Sequence, residues 1–143
     1  MPNRRPFDHI GNFRFKVEIE GVTQGAFRNV EGLDSETEVI EYQDGDDLIL
    51  RKRPGRTKYS NIVLKRGYVN SDELWQWRKK VIEGKVERKS GSIILCDDDG
   101  SEIVRYNFFE AWPCKWKGFT LDGKGNDVNV EEIELAVEKI ERM

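Results

Sequence analysis

Residues 54–67 read PGRTKYSNIVLKRG, and the way this stretch is taken decides where the strands fall. Pro54 presets one backbone angle and Gly55 tolerates positive φ, so the pair predicts a reversal of the chain. Ile62, Val63 and Leu64 form a short apolar run, which predicts a strand from about Lys58 to Arg66 that Lys65-Arg66-Gly67 closes. Upstream, residues 44–57 read as a long charged loop. Asp44, Asp46 and Asp47 make its acidic half, and Arg51, Lys52, Arg53 and Arg56 its basic half. A loop carrying both signs and projecting from a strand pair is expected to meet another surface, with the rest of the chain as its scaffold.

Toward the N-terminus, Phe13, Phe15, Val17 and Ile19 alternate with Arg14, Lys16, Glu18 and Glu20. This period of two predicts a half-buried strand over 12–20. A second strand is expected over 23–31, with Phe27 and Val30 pointing inward or into a bulge. A third is expected over 35–43, with Glu36, Glu38 and Glu41 at polar positions. Residues 1–11 form an arm, either a flexible tail or a segment that docks on a neighbouring subunit.

Toward the C-terminus, the spacing predicts one helix. Ser71 suits its N-cap, Asp72 and Glu73 the positive end of the dipole, and Lys79 and Lys80 the negative end. Leu74, Trp77 and Val81 make the apolar stripe, Trp75 and Ile82 widen it, and Gly84 ends the helix. The helix is expected to close one face or end of the sheet. Asp97-Asp98-Asp99-Gly100 predicts a hairpin turn between strands at 86–96 and 102–110. Trp112-Pro113 is expected to break the second of these before a further extended run at 115–121. A glycine-rich turn follows at 122–127. Residues 128–141 fit both helix and strand. The alternation of Val128 and Val130 favours strand, with a bulge between 130 and 133. The sum is a mainly β fold, a barrel or sandwich of about eight strands with one flanking α-helix. A single domain is expected over 1–143.

A chain of 143 residues is long enough to bury roughly 70 % of its unfolded surface without disulfide or metal staples. Charged residues make up 36 % of the sequence, yet the net charge is only -3, which argues against a nucleic-acid binder. No apolar run approaches the ~18–20 residues of a membrane span, and MPNRRPFDHIGNF lacks the apolar core of a signal peptide. Cys96 and Cys114 lie in strand-like apolar contexts and read as small buried thiols, in keeping with synthesis in a reducing cytoplasm.

The chemistry-bearing patterns are weak. His9 lies in the arm, where it is poorly placed for a nucleophile system. Asp97–Asp99 lacks the alternating ligands of a calcium loop and reads as a solvated turn. Gly118–Gly125 approaches a P-loop, but Gly125 stands where magnesium ligation needs Ser or Thr. Arg51, Lys52, Arg53, Arg56 and Lys58 suit phosphate, yet three aspartates precede them, which favours a protein interface over nucleic acid. No catalytic, cofactor-binding or metal site emerges, and an enzyme is not expected.

The ordered set NFRFKVEIEG (12–21), GAFRNVEGL (25–33), EVIEYQDG (38–45), PGRTKYSNIVLKRG (54–67), LWQW (74–77), AWP (111–113) and NDVNVEEIELAVEKIE (126–141) resembles a known family. It is similar to the tail tube proteins of contractile-tailed bacteriophages and the inner tube proteins of phage-derived contractile injection systems. The resemblance spans Asn12 to Glu141 and rests on order and spacing. It implies a β-barrel-like fold with one helix, and strand at the C-terminus. It also implies hexameric rings that stack head-to-tail into a hollow tube inside a contractile sheath. The implied partners are further copies of the chain, the sheath protein, the baseplate, and tape-measure or cargo proteins, with nucleic acid only as lumen cargo. By the same resemblance, the loop carrying Asp44, Asp46, Asp47, Arg51, Lys52, Arg53 and Arg56 reaches the adjacent ring. The chain is expected to be made in the bacterial cytoplasm and to end in a virion tail or injection particle. A tube-initiator or baseplate adaptor ring, or a type VI-like secreted ring protein carrying effectors, is the alternative.

Overall fold

The computed structural model describes residues 14–22, 27–67, 72–118 and 130–143. The arm with His9, the Ser71 cap, and the glycine-rich turn and P-loop-like stretch beyond 118 lie outside the described residues. The chain runs β1 (Arg14–Ile19), β2 (Phe27–Glu31), β3 (Ser35–Tyr42), β4 (Arg51–Tyr59), β5 (Ile62–Gly67), α1 (Glu73–Ile82), β6 (Lys89–Cys96), β7 (Glu102–Lys117), β8 (Val130–Ala136) and β9 (Lys139–Arg142). The fold is mainly β, as the alternation requires. A 7-stranded antiparallel sheet has the order β1-β6-β7-β8-β5-β2, with β9 added beside β7, while β3 and β4 form a 2-stranded sheet of their own.

The large sheet folds round a core contributed by nearly every strand. Val17 and Ile19 come from β1, Ile62 and Leu64 from β5, Ile93 from β6, Phe108 and Ala111 from β7, and Ile133 and Leu135 from β8. Phe108 is accommodated because the residue facing it is Gly91. A β-carbon at Gly91 would collide with the Phe108 ring and the Glu18 carbonyl oxygen. The bend in the sheet falls within β7. Its first half pairs with β6 and β9 and its second half with β8. Glu110, at φ 55°, turns the strand between the two.

Several boundaries differ from the sequence expectation. Trp112-Pro113 does not break β7. Pro113 is buried opposite Leu135, and the register shifts just after it, so its missing donor falls at an irregularity of the ladder. Pro54-Gly55 is not a turn either. Both lie inside β4, with Pro54 opposite Val39. A ribbon of two strands leaves one side of each unpaired, and there proline costs no ladder bond. Between Thr37 and Val39 the register shifts by one residue of β4, and Gly55 sits at that bulge. A β-carbon on Gly55 would lie 3.0 Å from Ile40 Cδ1. The expected strand over 58–66 is therefore two, β4 ending at Tyr59 and β5 beginning at Ile62. The C-terminus is strand, but the expected bulge between 130 and 133 is absent. Instead the chain breaks between β8 and β9, where the Glu138 amide donates to the Phe109 carbonyl at 3.1 Å.

Helix α1 packs against β7. Leu74 and Trp77 are both 2 % exposed, and the Trp77 indole Nε1 donates 2.7 Å to the Glu87 carbonyl. Val81 is half-buried beside them. Trp75 and Ile82 do not widen this stripe. At about 100° per residue they lie roughly 80–100° round the helix from Leu74, and they are 39 % and 60 % exposed. Gly84 ends the helix at φ +81° in a Schellman arrangement, with Gly84 N to Val81 O at 3.0 Å and Lys85 N to Lys80 O at 2.8 Å.

Candidate assembly surface

The surface that the core does not explain is the β3–β4 hairpin. Every residue of β3 except Ile40 is exposed, and every residue of β4 except Gly55 and Tyr59. Its base is tied to the body. The Ser60 hydroxyl donates to the Gly32 carbonyl, the Asp34 amide donates 3.2 Å to Ser60 Oγ, and the Ser60 amide 3.1 Å to the Asp34 carbonyl. From that base the ribbon extends 8 residues along β3, which at roughly 3.3 Å per residue is about 26 Å.

Opposite charges face one another across the two strands. Glu36 lies opposite Lys58, and Glu41 opposite Lys52, so an acidic strand faces a basic one. Thr37 and Thr57 share a hydrogen bond of 2.9 Å across the ribbon, and the Arg53 guanidinium lies 5.9 Å from the centre of the Tyr42 ring. The expected loop over 44–57 is thus shorter than the sequence implied. Asp44, Asp46 and Asp47 are on the turn, whereas Arg51, Lys52, Arg53 and Arg56 are on β4. The basic residues complement β3 before they can serve any partner.

Asp47 builds the tip. Its carboxylate accepts 2.7 Å from Arg51 Nε and 3.0 Å from the Ile49 amide, while its own carbonyl accepts 2.7 Å from Gln43 Nε2. The Arg51 hydrogen bond, then the Ile49 amide, hold the Asp47 carboxyl below the usual carboxylate range. The turn so fixed presents Leu48, Ile49 and Leu50 to solvent, with Leu48 97 % exposed. Reading the charges alone misses this apolar tip. The run DLILRKR (47–53) carries the signal, three consecutive aliphatic residues that no alternation can bury on one face.

Among the described residues no cluster of His, Cys, Asp or Glu could hold a metal ion. Asp97–Gly100 is a hairpin turn closed by Gly100 N to Asp97 O at 2.9 Å. Cys96 is buried. Cys114 is half-buried beside Glu134, and burial and that carboxylate push its thiol pKa up, away from a reactive thiolate.

A family model described as T4-like virus tail tube protein gp19 matches residues 11–141. The chain belongs to that family. It is therefore a structural tail tube protein of a phage tail or contractile injection particle, and the family is not an enzymatic one. Among solved structures it is similar to a chain of the PVC sheath-tube complex in the extended state, an extracellular contractile injection system. The two share 31 % identity over 94 % of this chain and 91 % of that one, with a TM-score of 0.85. A chain of the PVC sheath/tube terminator is similar at 30 % identity over 97 % and 99 %, with a TM-score of 0.88. Hcp1 from Flavobacterium johnsoniae shares the fold at 20 % identity over 91 % and 94 %, with a TM-score of 0.56. Comparison with curated protein sequences gave no match.

Proposed function

We propose that this tail tube protein forms hexameric rings that stack head-to-tail into the hollow inner tube of a contractile tail or injection particle, conducting DNA or protein cargo. The observation that carries this reading is the exposed β3–β4 ribbon ending in the Leu48-Ile49-Leu50 tip. An exposed apolar tip on a long ribbon marks a surface made to be covered. Among the described residues, β1 and β2 are the end strands of the large sheet. Lateral association of copies covers their free backbone groups, which would otherwise invite aggregation. A head-to-tail contact between rings repeats without limit and so elongates a tube. The sheath protein outside, the baseplate at one end and a tape-measure or cargo protein inside are the partners this architecture takes. Both cysteines are free thiols, which suits synthesis in a reducing bacterial cytoplasm.

A second reading, a ring at the end of the tube, is favoured by the close match to the sheath/tube terminator. Electron microscopy of the purified protein separates the two. Tubes whose length grows with concentration support the main tube, and rings that never extend support an end ring. A strictly monomeric chain at high concentration, both alone and with its baseplate, overturns both.

A further inference from the structure

We propose that the Leu48-Ile49-Leu50 tip seats in an open cleft on a second copy of this chain, with Asp44 and Asp46 meeting an arginine rim. The proposal rests on the ring-stacking reading above and names the seat that reading lacks. The cleft, of ≈ 670 Å³, lies between β2 and the β1-β6-β7 part of the large sheet. Its apolar wall includes Phe15, Val30, Leu33, Leu95, Val104 and Tyr106. Arg14, Arg28 and Arg142 also line it, and all three are exposed. Arg142 stacks over the Tyr106 ring at 5.9 Å, and among the described residues neither Arg14 nor Arg28 has a carboxylate partner. The tip matches this in both respects. It offers three aliphatic side chains, and the exposed Asp44 and Asp46 beside them are likewise without side-chain partners among the described residues. Aliphatic residues entering an apolar cleft leave water, and opposite charges at its rim set orientation.

The occupant is another copy because the chain's own tip is out of reach. Leu33 and Val30 of the cleft adjoin the base of the hairpin, whereas the tip lies at the far end of the 8 residues of β3, about 26 Å away at roughly 3.3 Å per residue. Tip and seat are thus different, separated surfaces of one unit, which makes the contact heterologous and gives the stack its polarity.

The test places a cysteine on each side in a Cys114→Ser background. Leu48→Cys is carried on a tagged chain and Asn29→Cys on an untagged one. Both positions are exposed, and Asn29 lines the cleft. A short bismaleimide added to assembled, mixed protein is expected to join tagged to untagged chain. Arg14→Glu with Arg28→Glu is expected to stop elongation, and adding Asp44→Lys and Asp46→Lys to that same chain to restore it. Tubes that form without the mixed cross-link, or that elongate normally with both arginines reversed, overturn the seat and leave the tube reading intact. In a chain carrying both Leu48→Cys and Asn29→Cys, cross-linking within the monomer also overturns the seat. Failure of the wild-type chain to assemble at all overturns the tube reading, and the seat with it.

Discussion

Two residues concentrate the consequences of packing and charge. Gly91 lets the β1 backbone and the Phe108 ring close on β6, and Phe108 is 1 % exposed at the centre of the core. Gly91→Ala must displace that ring or push β1 away from β6, so it is expected to yield insoluble or molten protein. Near-ultraviolet circular dichroism is the check, and a sharp native spectrum would mean the ring can yield. Asp47 works at the surface. Its folded pKa is depressed by Arg51 and the Ile49 amide. Its contribution to tip order is therefore fully present above the ordinary carboxylate range, and it is lost as pH falls through the lowered folded value. Protection of the Ile49 amide, its hydrogen exchange relative to the intrinsic rate at each pH, should hold down to that acid window and fall within it. In Asp47→Ala, which removes the acceptor, the same amide should lose its protection at neutral pH, and the acid step should vanish.

At the scale of elements, helix and hairpin use their apolar residues in opposite ways. Leu74 and Trp77 of α1 belong to the core, and Trp77 also donates to the Glu87 carbonyl and lies under Lys89, whose Nζ is 5.9 Å from the ring centre. Trp77→Ala should cost roughly 3–5 kcal/mol, a large share of the roughly 5–15 kcal/mol of a typical domain. Trp75 instead makes an edge contact with Trp116 at 5.4 Å and stays 39 % exposed, so Trp75→Ala should leave the melting temperature within a few degrees. Denaturant unfolding of the pair measures the difference. Equal destabilisation would show that the outer stripe also holds the fold. The β3–β4 ribbon has no such core. It places Glu36 opposite Lys58 and Glu41 opposite Lys52. Reversing Arg51, Lys52 and Arg53 together is for this reason a poor probe of stacking. It puts Glu opposite Glu41 and removes the Asp47 partner, so it alters the ribbon itself as well as any contact with a neighbour.

At the scale of the whole molecule, the core and the exposed ribbon occupy separate stretches of the chain. The body buries its strands round Phe108 and Leu135, while the ribbon contributes nothing to that core. Replacing residues 36–58 by a short Asn-Gly turn, with the Asp34–Ser60 tie at the base retained, should leave cooperative thermal unfolding of the body. The same variant should form no stacked rings by negative-stain microscopy. Stacking of normal tubes by this variant would place the inter-ring contact outside the hairpin.

Much of this was legible in the sequence because it rests on local alternation. The strict period of two over Phe15, Val17 and Ile19, the Asp-Gly turn at 99–100, and the Leu74–Trp77 spacing each determine their element without help from distant residues. The ordered motifs carried the family in the same way. Tertiary structure alone decided what Pro54, Gly55 and Pro113 do, because the cost of a missing donor depends on whether a neighbouring strand needs it. In β4 one side is open, and in β7 the ladder shifts just past Pro113, so signals that punctuate most chains fall here inside strands. It alone also revealed where the apolar tip lies relative to the cleft. Three aliphatic residues in a charged run say only that something covers them; where the hairpin carries them is set by pairing across the ribbon, which no local pattern encodes.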